Sequence, residues 1–243
     1  MSEVIIKTDA QAVARMAAWQ TATDLRGVLK KNNQANWLLA GGTTPLAAYR
    51  LLVEEFADKI DWGKVFVAIG DERCVPLDSH QTNWREIVDT LLDPLNIPKQ
   101  NRLSPQYNHN PEVMSLNYKK QLKKFVNAKN PIPHFDIAWL GMGEDGHTLS
   151  LFPDRSELDS TDITVAVYDS PKPPPNRISL TLSALSDCAK CLIIVSGAQK
   201  AVTLHAALKP KSVLPVAQAV AAIETHGGHV SWLVDKAAAQ KLT

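Results

Sequence analysis

One segment of the sequence brings a histidine, a carboxylate and three glycines together. His147 follows Asp145 by two residues, and Gly141, Gly143 and Gly146 lie around them. Glycines permit a tight turn, and a histidine presented on such a turn can transfer protons because imidazole titrates near neutral pH. Asp145 is close enough in sequence to orient the ring. A lone histidine is often structural, but this setting favours a catalytic His147 with Asp145 as its partner.

The same three glycines also match the dinucleotide-binding pattern G-x-G-x-x-G. Glu144 and Asp145 inside the turn would repel a pyrophosphate. Pro153 follows the last glycine by seven residues, which leaves little room for the long helix that this motif needs. The segment therefore predicts no dinucleotide cofactor.

A second glycine turn suits an anion. Gly41, Gly42, Thr43 and Thr44 precede Pro45, which we expect at the first position of a helix with Thr44 as its cap. Free amides and the dipole at a helix start favour an anion such as phosphate. The turn lacks the Gly-Lys-Ser/Thr ending of a P-loop, so ATP is not implied. A tight turn without a ligand explains this segment equally well.

Charged residues also lie directly after one predicted strand and at the start of another strand and of a helix. Asp71, Glu72 and Arg73 come directly after a continuously apolar strand, where packing does not explain three charges. Solvated loop residues are the alternative, and we favour a site. Arg177 begins a strand and Lys200 opens a helix. Both can hold a phosphate if they converge with the first glycine turn, and each alone would be a surface cation.

Strand-length apolar runs alternate with stretches of helical period, which is typical of an α/β fold. We expect a three-layer αβα, Rossmann-like domain over residues 1–243, with a mostly parallel sheet and helices on both faces. Helices are predicted near residues 9–30, 45–57, 83–92, 111–127, 198–208, 215–223 and 235–241, and strands near 36–40, 65–69, 135–140, 163–168, 177–182, 191–196 and 229–234. Ligands of such sheets bind outside the carboxyl ends of the strands. Pro-rich stretches at 130–133 and 171–175 are expected to be surface loops.

Composition excludes several classes of protein. Among 243 residues, 26 Lys and Arg balance 25 Asp and Glu, for a net charge of +1, which argues against nucleic-acid or membrane binding as the main function. No apolar run approaches a membrane span and no secretory signal begins the chain, so we expect a soluble cytoplasmic protein. The pair Cys188 and Cys191 lacks a second pair, and the histidines show no ligand spacing. We therefore expect packing cysteines and no metal.

Taken together, the motifs resemble the 6-phosphogluconolactonase family. The resemblance rests on five segments in order: 41–45, 70–76 with Thr82 and Asn83, 141–153, 176–181 and 197–200. Thr43, Leu149 and Asn176 depart from the residues usual there. The resemblance implies hydrolysis of 6-phospho-D-glucono-1,5-lactone to 6-phosphogluconate in the pentose phosphate pathway. It implies a small sugar-phosphate lactone as the only necessary partner and no cofactor.

The resemblance also assigns roles. It makes His147 the general base for water attack at C1, Asp145 its orienting partner and Arg73 the residue that stabilises the oxyanion or binds substrate. The remaining predicted site residues bind the substrate or its phosphate: Gly41, Gly42, Thr43, Thr44, Asp71, Arg177 and Lys200.

Two other functions stay open. Glucosamine-6-phosphate deaminases share the glycine turns but carry a glutamate in an Asn-Glu-Pro ending, where this chain has Leu151, Phe152 and Pro153. A proton shuttle for ring opening would therefore lack its carboxylate. The third function is a sugar-phosphate-binding protein without catalysis.

Overall fold

A computed structural model describes residues 2–125 and 132–242. Its strands are β1 (Glu3–Lys7), β2 (Ala35–Leu39), β3 (Val65–Ile69), β4 (Asp71–Arg73), β5 (Arg102–Leu103), β6 (Phe135–Gly141), β7 (Thr164–Val167), β8 (Arg177–Leu180), β9 (Cys188–Val195) and β10 (His229–Asp235). Its α-helices are α1 (Ala10–Asn32), α2 (Thr43–Phe56), α3 (Asn83–Ile87), α4 (Pro111–Phe125), α5 (Ala201–Ala207) and α6 (Pro215–Thr225). Two predictions extend beyond the described residues: the helix predicted at 111–127, at residues 126 and 127, and the loop predicted at 130–133, at residues 130 and 131.

Seven strands form one parallel sheet in the order β1-β10-β9-β6-β2-β3-β5. All five residues of β2 and the first six of β6 are buried, so helices cover both faces at the centre of the sheet. Helices α1 and α2 pack on each other, and α6 packs on β9 and β10. The predicted α/β class and flanked parallel sheet are confirmed.

A second, antiparallel sheet lies beside the first in the order β4-β8-β7. The chain passes from β3 to β4 through Gly70, whose carbonyl accepts a hydrogen bond from Leu180 N at 2.8 Å. Helix α4 packs on β7 and β8. Asp71, Glu72 and Arg73, which follow Gly70 directly, are held in this small sheet by pairing with β8.

Two buried tyrosines fix the ends of β2 and β3. The Tyr49 hydroxyl donates to Ala40 O at 2.9 Å and accepts from Ala40 N at 3.1 Å. In the same way Tyr118 donates to Ile69 O at 2.6 Å and accepts from Ile69 N at 3.2 Å. Each tyrosine therefore satisfies both backbone groups of the last residue before a glycine turn.

The structure corrects several local predictions. The helix predicted at 235–241 is wrong, because β10 extends to Asp235 and a turn follows, in which the Asp235 carboxylate accepts from Ala238 N at 2.7 Å. Helix α2 begins at Thr43 rather than Pro45, since Gly42 with φ of 106° serves as its N-cap and Thr44 makes no capping bond. Strands β1, β4 and β5 were not predicted; β1 is half exposed, β4 is fully charged and β5 has two residues.

Within the described residues, no helix is both long and apolar enough to cross a membrane. The predicted helix at 83–92 is a composite, with α3 continuing as a π-helical turn over Val88–Leu92. Cys188 and Cys191 are buried in β9, which confirms their prediction as packing residues.

Candidate active site

A cleft of about 370 Å³ opens at the carboxyl ends of β2, β3, β6 and β9. Except for Asp145, every predicted site residue lines it: Gly41, Gly42, Thr43, Thr44, Asp71, Arg73, His147, Arg177 and Lys200. Asp145 lies behind the imidazole of His147, to which it is hydrogen-bonded. Residues far apart in the sequence thus meet at the edge of the sheet where α/β proteins bind ligands.

His147 and Asp145 form a hydrogen-bonded pair. Asp145 Oδ1 lies 2.5 Å from His147 Nδ1 and also accepts from the backbone N of His147 at 3.2 Å. The Phe152 ring packs on the imidazole with 4.6 Å between ring centroids. Because Nδ1 donates to the carboxylate, Nε2 is the nitrogen of the neutral ring that can accept a proton.

The surroundings keep this histidine neutral near pH 7. Burial lowers the pKa of His147, Asp145 partly opposes this, and Lys172 lowers it further, so that it lies below the ordinary 6.5. Burial raises the pKa of Asp145, but His147 outweighs burial and the pKa falls below the ordinary 3.8. The pair is therefore a charged carboxylate and a neutral imidazole, which suits general-base catalysis.

Two glycines make the turn that presents His147. Gly146 has φ of 85°, and a Cβ on Gly143 would lie 2.0 Å from His147 Nδ1. Gly143 N also donates to His147 O at 2.8 Å. The turn is tied to the helices beyond it, because Val216 N donates to Gly146 O at 3.1 Å and Thr203 Oγ1 donates to Glu144 O.

Glu72 is fully buried rather than solvated. Its carboxylate accepts from the backbone N of Arg73, Asn83 and Trp84 at 2.8, 2.9 and 2.7 Å. Burial raises the pKa of Glu72 to about 7, although these three bonds favour the charged form. Glu72 therefore fixes the start of α3 against β4, beside the cleft.

Asp71 and Arg73 flank Glu72 and line the cleft. Asp71 Oδ2 accepts from Ser150 Oγ at 2.5 Å. Arg73 Nη1 donates to Gln81 O at 2.8 Å, whereas its buried Nε has no hydrogen-bond partner within residues 2–125 and 132–242. A buried donor without a partner is costly, so Arg73 is suited to a ligand that accepts hydrogen bonds.

Arg177 is buried and makes several contacts of its own. Its Nε donates to Pro174 O at 3.1 Å, and its Nη2 donates to Lys172 O and Pro173 O at 2.9 and 3.1 Å. Nη1 donates to Ser150 Oγ at 3.4 Å. The guanidinium thus lines the cleft and also ties down the proline-rich loop.

Lys200 follows β9 and is half buried. Burial lowers its pKa, Lys172 lowers it further, and the net shift is downward although Glu144 and Asp235 raise it. The amides of the first turn of α2, at Thr43 and Thr44, lack intrahelical acceptors. Lys200 and these amides line the same cleft.

Several residues that line the cleft were not among the predicted site residues, and Lys172 and Asn83 are two of them. Lys172 lies in a proline-rich stretch. Such a stretch predicts a surface loop, but the sequence does not show that this loop borders the cleft. Asn83 donates to Asp71 O at 3.3 Å, a contact between residues twelve positions apart that only the fold creates. No cluster of His, Cys, Asp or Glu able to hold a metal occurs in the described part of the chain.

Comparison with known proteins identifies the family of this chain. A family model described as glucosamine-6-phosphate isomerases/6-phosphogluconolactonase matches residues 8–232. The chain belongs to this family. A 6-phosphogluconolactonase from Mycobacterium tuberculosis is 36% identical, over 99% of this chain and 98% of that protein. One from Mycobacterium leprae is 32% identical over 99% and 98%.

Solved structures of other proteins share the fold of this chain. The crystal structure of a 6-phosphogluconolactonase from Thermotoga maritima matches with a TM-score of 0.84 and 27% identity, covering 97% of this chain and all of that one. A monomeric glucosamine-6-phosphate deaminase matches with a TM-score of 0.80 at 20% identity, covering 98% and 99%. At that identity the likeness shows a common fold and does not separate the two activities.

Proposed function

We propose that this protein hydrolyses 6-phospho-D-glucono-1,5-lactone to 6-phosphogluconate. The observation that carries the proposal is the neutral, Asp145-bound imidazole of His147 in the same cleft as the Gly41–Thr44 turn and Lys200. The cleft thus pairs a proton acceptor with groups that attract a phosphate. The full-length relatives named for this reaction support it.

In the proposed reaction, His147 Nε2 takes a proton from water as the oxygen attacks C1 of the lactone. The carbonyl oxygen becomes an oxyanion, for which Arg73 is the proposed hydrogen-bond donor. The bond between C1 and the ring oxygen then breaks, and the ring oxygen takes the proton from the imidazolium. Asp145 keeps the ring oriented and stabilises its charged form. A general base of this kind contributes about 10²–10⁴ in rate.

The phosphate end is proposed to bind at the other side of the cleft. The amides of Thr43 and Thr44 are aligned for an anion, and Arg177 and Lys200 supply positive charge. Gly41, Gly42 and Asp71 complete the proposed surface for the sugar phosphate. The proposal also keeps the expectations from composition, namely a single domain in the cytoplasm that needs no nucleic acid, membrane or obligatory protein partner.

A lactonase assay tests this function. Purified protein is added to freshly prepared lactone, and acid release is measured after the spontaneous rate is subtracted. The proposal predicts a clear catalysed rate and no ammonia from glucosamine 6-phosphate. Ammonia release would identify a deaminase instead, and tight 6-phosphogluconate binding without turnover would identify a binding protein.

A further inference from the structure

The loop Pro171–Pro175, termed the proline strap here, borders the cleft through Lys172 and Pro173 and carries one cation. The backbone of Lys172 is held at three points: its O accepts from Arg177 Nη2 and Ser170 Oγ, both at 2.9 Å, and its N donates to Ser170 Oγ at 3.3 Å. The strap is therefore fastened where Lys172 lies, and the buried guanidinium of Arg177 is its main anchor.

The Lys172 ammonium, in contrast, has no carboxylate or hydrogen-bond acceptor among the described residues. Lys64 pairs with Asp61 at 3.1 Å and Lys119 pairs with Asp162 at 2.5 Å, whereas Lys99 is, like Lys172, exposed without an ion pair among the described residues. Lys172 is exposed at the rim and lines the cleft. Its place in the cleft, and not the missing ion pair, therefore distinguishes Lys172, and its ammonium is available there to an anionic ligand.

Lys172 lies close enough to the cleft's other groups to influence them. Its charge lowers the pKa of Lys200 and that of His147. Two like charges beside one cleft repel each other, and a doubly charged anion bound between them removes that repulsion. A phosphate monoester carries about −1.5 to −2 at pH 7, which matches two lysines.

We propose that Lys172 binds the phosphate group of the substrate together with Lys200 and sets the preference for phosphorylated over unphosphorylated sugar lactones. Arg177 then acts mainly as a positioning residue, since its Nε and Nη2 are hydrogen-bonded to the strap. This inference rests on the proposed function for the identity of the substrate. The contact between Lys172 and phosphate can be tested without turnover of the substrate.

The test compares Lys172→Met, Lys172→Arg and the control Lys99→Met, a lysine exposed outside the cleft. Titration calorimetry measures affinity for inorganic phosphate, 6-phosphogluconate and gluconate. Hydrolysis of 6-phospho-D-glucono-1,5-lactone and of D-glucono-1,5-lactone is measured at about pH 8, where the imidazole of His147 is neutral with or without the Lys172 charge. Thermal unfolding checks that each variant is folded, as expected for an exposed side chain.

Lys172→Met should weaken binding of phosphate and 6-phosphogluconate by about 10-fold, in the range of a lost charged hydrogen bond. KM for the phosphorylated lactone should rise about as much while kcat stays within about twofold. Gluconate affinity and kcat/KM for the unphosphorylated lactone should not change. Lys172→Arg should recover most of the loss, and Lys99→Met should match the wild type.

Unchanged phosphate affinity in Lys172→Met would overturn the proposal. So would an equal loss of kcat/KM on both lactones, because that result places Lys172 at the reacting carbonyl. If the wild-type protein hydrolyses neither lactone, the proposed function fails, and the calorimetric comparison still decides whether Lys172 holds phosphate.

Discussion

At the scale of single residues, the proposed proton transfer depends on how closely His147 is held. Its Nδ1 is bonded to Asp145, its ring packs on Phe152, and its backbone O accepts from Gly143 N. These contacts fix both the tautomer and the direction of the ring. The imidazole is therefore positioned for proton transfer before a substrate binds.

Gly143→Ala tests this positioning. A Cβ at residue 143 would lie 2.0 Å from His147 Nδ1 and 2.5 Å from Asp145 Oδ1, so the imidazole must move. We expect kcat to fall by about 10-fold or more, since small displacements of a catalytic group have large effects. The control is Gly141→Ala, whose Cβ meets no atom within 4 Å; NMR shifts of the His147 ring should change in the first variant and stay constant in the control. A normal kcat in Gly143→Ala would show that the turn does not set the catalytic geometry.

Sequence reasoning works for site residues whose partners are local. Asp145 lies two residues from His147, so spacing alone predicts their contact. The partners of Arg177 could not be foreseen in the same way, because the strap carbonyls become acceptors only once the loop folds over the guanidinium. Lys172 was missed for the same reason.

At the scale of elements, Tyr49 and Tyr118 connect helices to strand ends. Both hydroxyls are buried and each bonds the N–H and C=O of one residue, Ala40 or Ile69. A glycine turn follows each of these strand ends directly. The turn that begins at Gly41 lines the cleft, and Gly70 leads to the charged residues of β4. The tyrosine hydrogen bonds therefore also position the site.

Tyr49→Phe and Tyr118→Phe should each reduce the free energy of unfolding by about 1–3 kcal/mol, since each leaves a buried N–H and C=O without a partner. Urea denaturation followed by circular dichroism measures this. Tyr107→Phe is the control, because the one hydrogen bond of its hydroxyl within residues 2–125 and 132–242 is to the exposed His109 ring. Wild-type stability in both core variants would mean that these hydroxyls do not hold the strand ends.

Element predictions succeeded where the apolar pattern was long. Strand β3 and residues 191–195 of β9 were located because burial on both faces makes them continuously apolar. Strands β6 and β10 were also located to within a few residues, although they include Asp136 and Ser231. Strand β4 was missed since all three of its residues are charged. The C-terminal helix was predicted wrongly because nothing in the pattern shows that Asp235 caps a turn there.

At the scale of the whole molecule, the parallel sheet separates two ends with different roles. The carboxyl ends of the strands hold the cleft. At the opposite end, next to the start of β6, His134 Nδ1 lies 2.8 Å from Asp187 Oδ1 and His134 Nε2 lies 3.4 Å from Asp136 Oδ1. Asp136 also accepts from Asn36 N at 2.8 Å, so this cluster joins β2, β6 and the turn before β9.

This cluster should make stability depend on pH. The hydrogen bond with Asp136 raises the pKa of His134 most, Asp187 adds to it, and burial opposes, giving about 9 against the ordinary 6.5. The charged histidine therefore contributes its full stabilisation below about pH 6.5 and loses it as pH rises through 9. The melting temperature of the wild type should fall between pH 6 and pH 10 by more than that of His134→Ala. Equal decreases would contradict this role, and lactonase activity at pH 7 should be similar in both proteins.

A single substitution tests most directly whether His147 accepts the proton from water. His147→Ala should lower kcat for the lactone by about 10²–10⁴, while 6-phosphogluconate still binds with an affinity within about threefold of the wild type. His205→Ala, an exposed histidine on α5, should leave both quantities unchanged. A near-normal kcat in His147→Ala, with spontaneous hydrolysis subtracted, would show that His147 is not the general base.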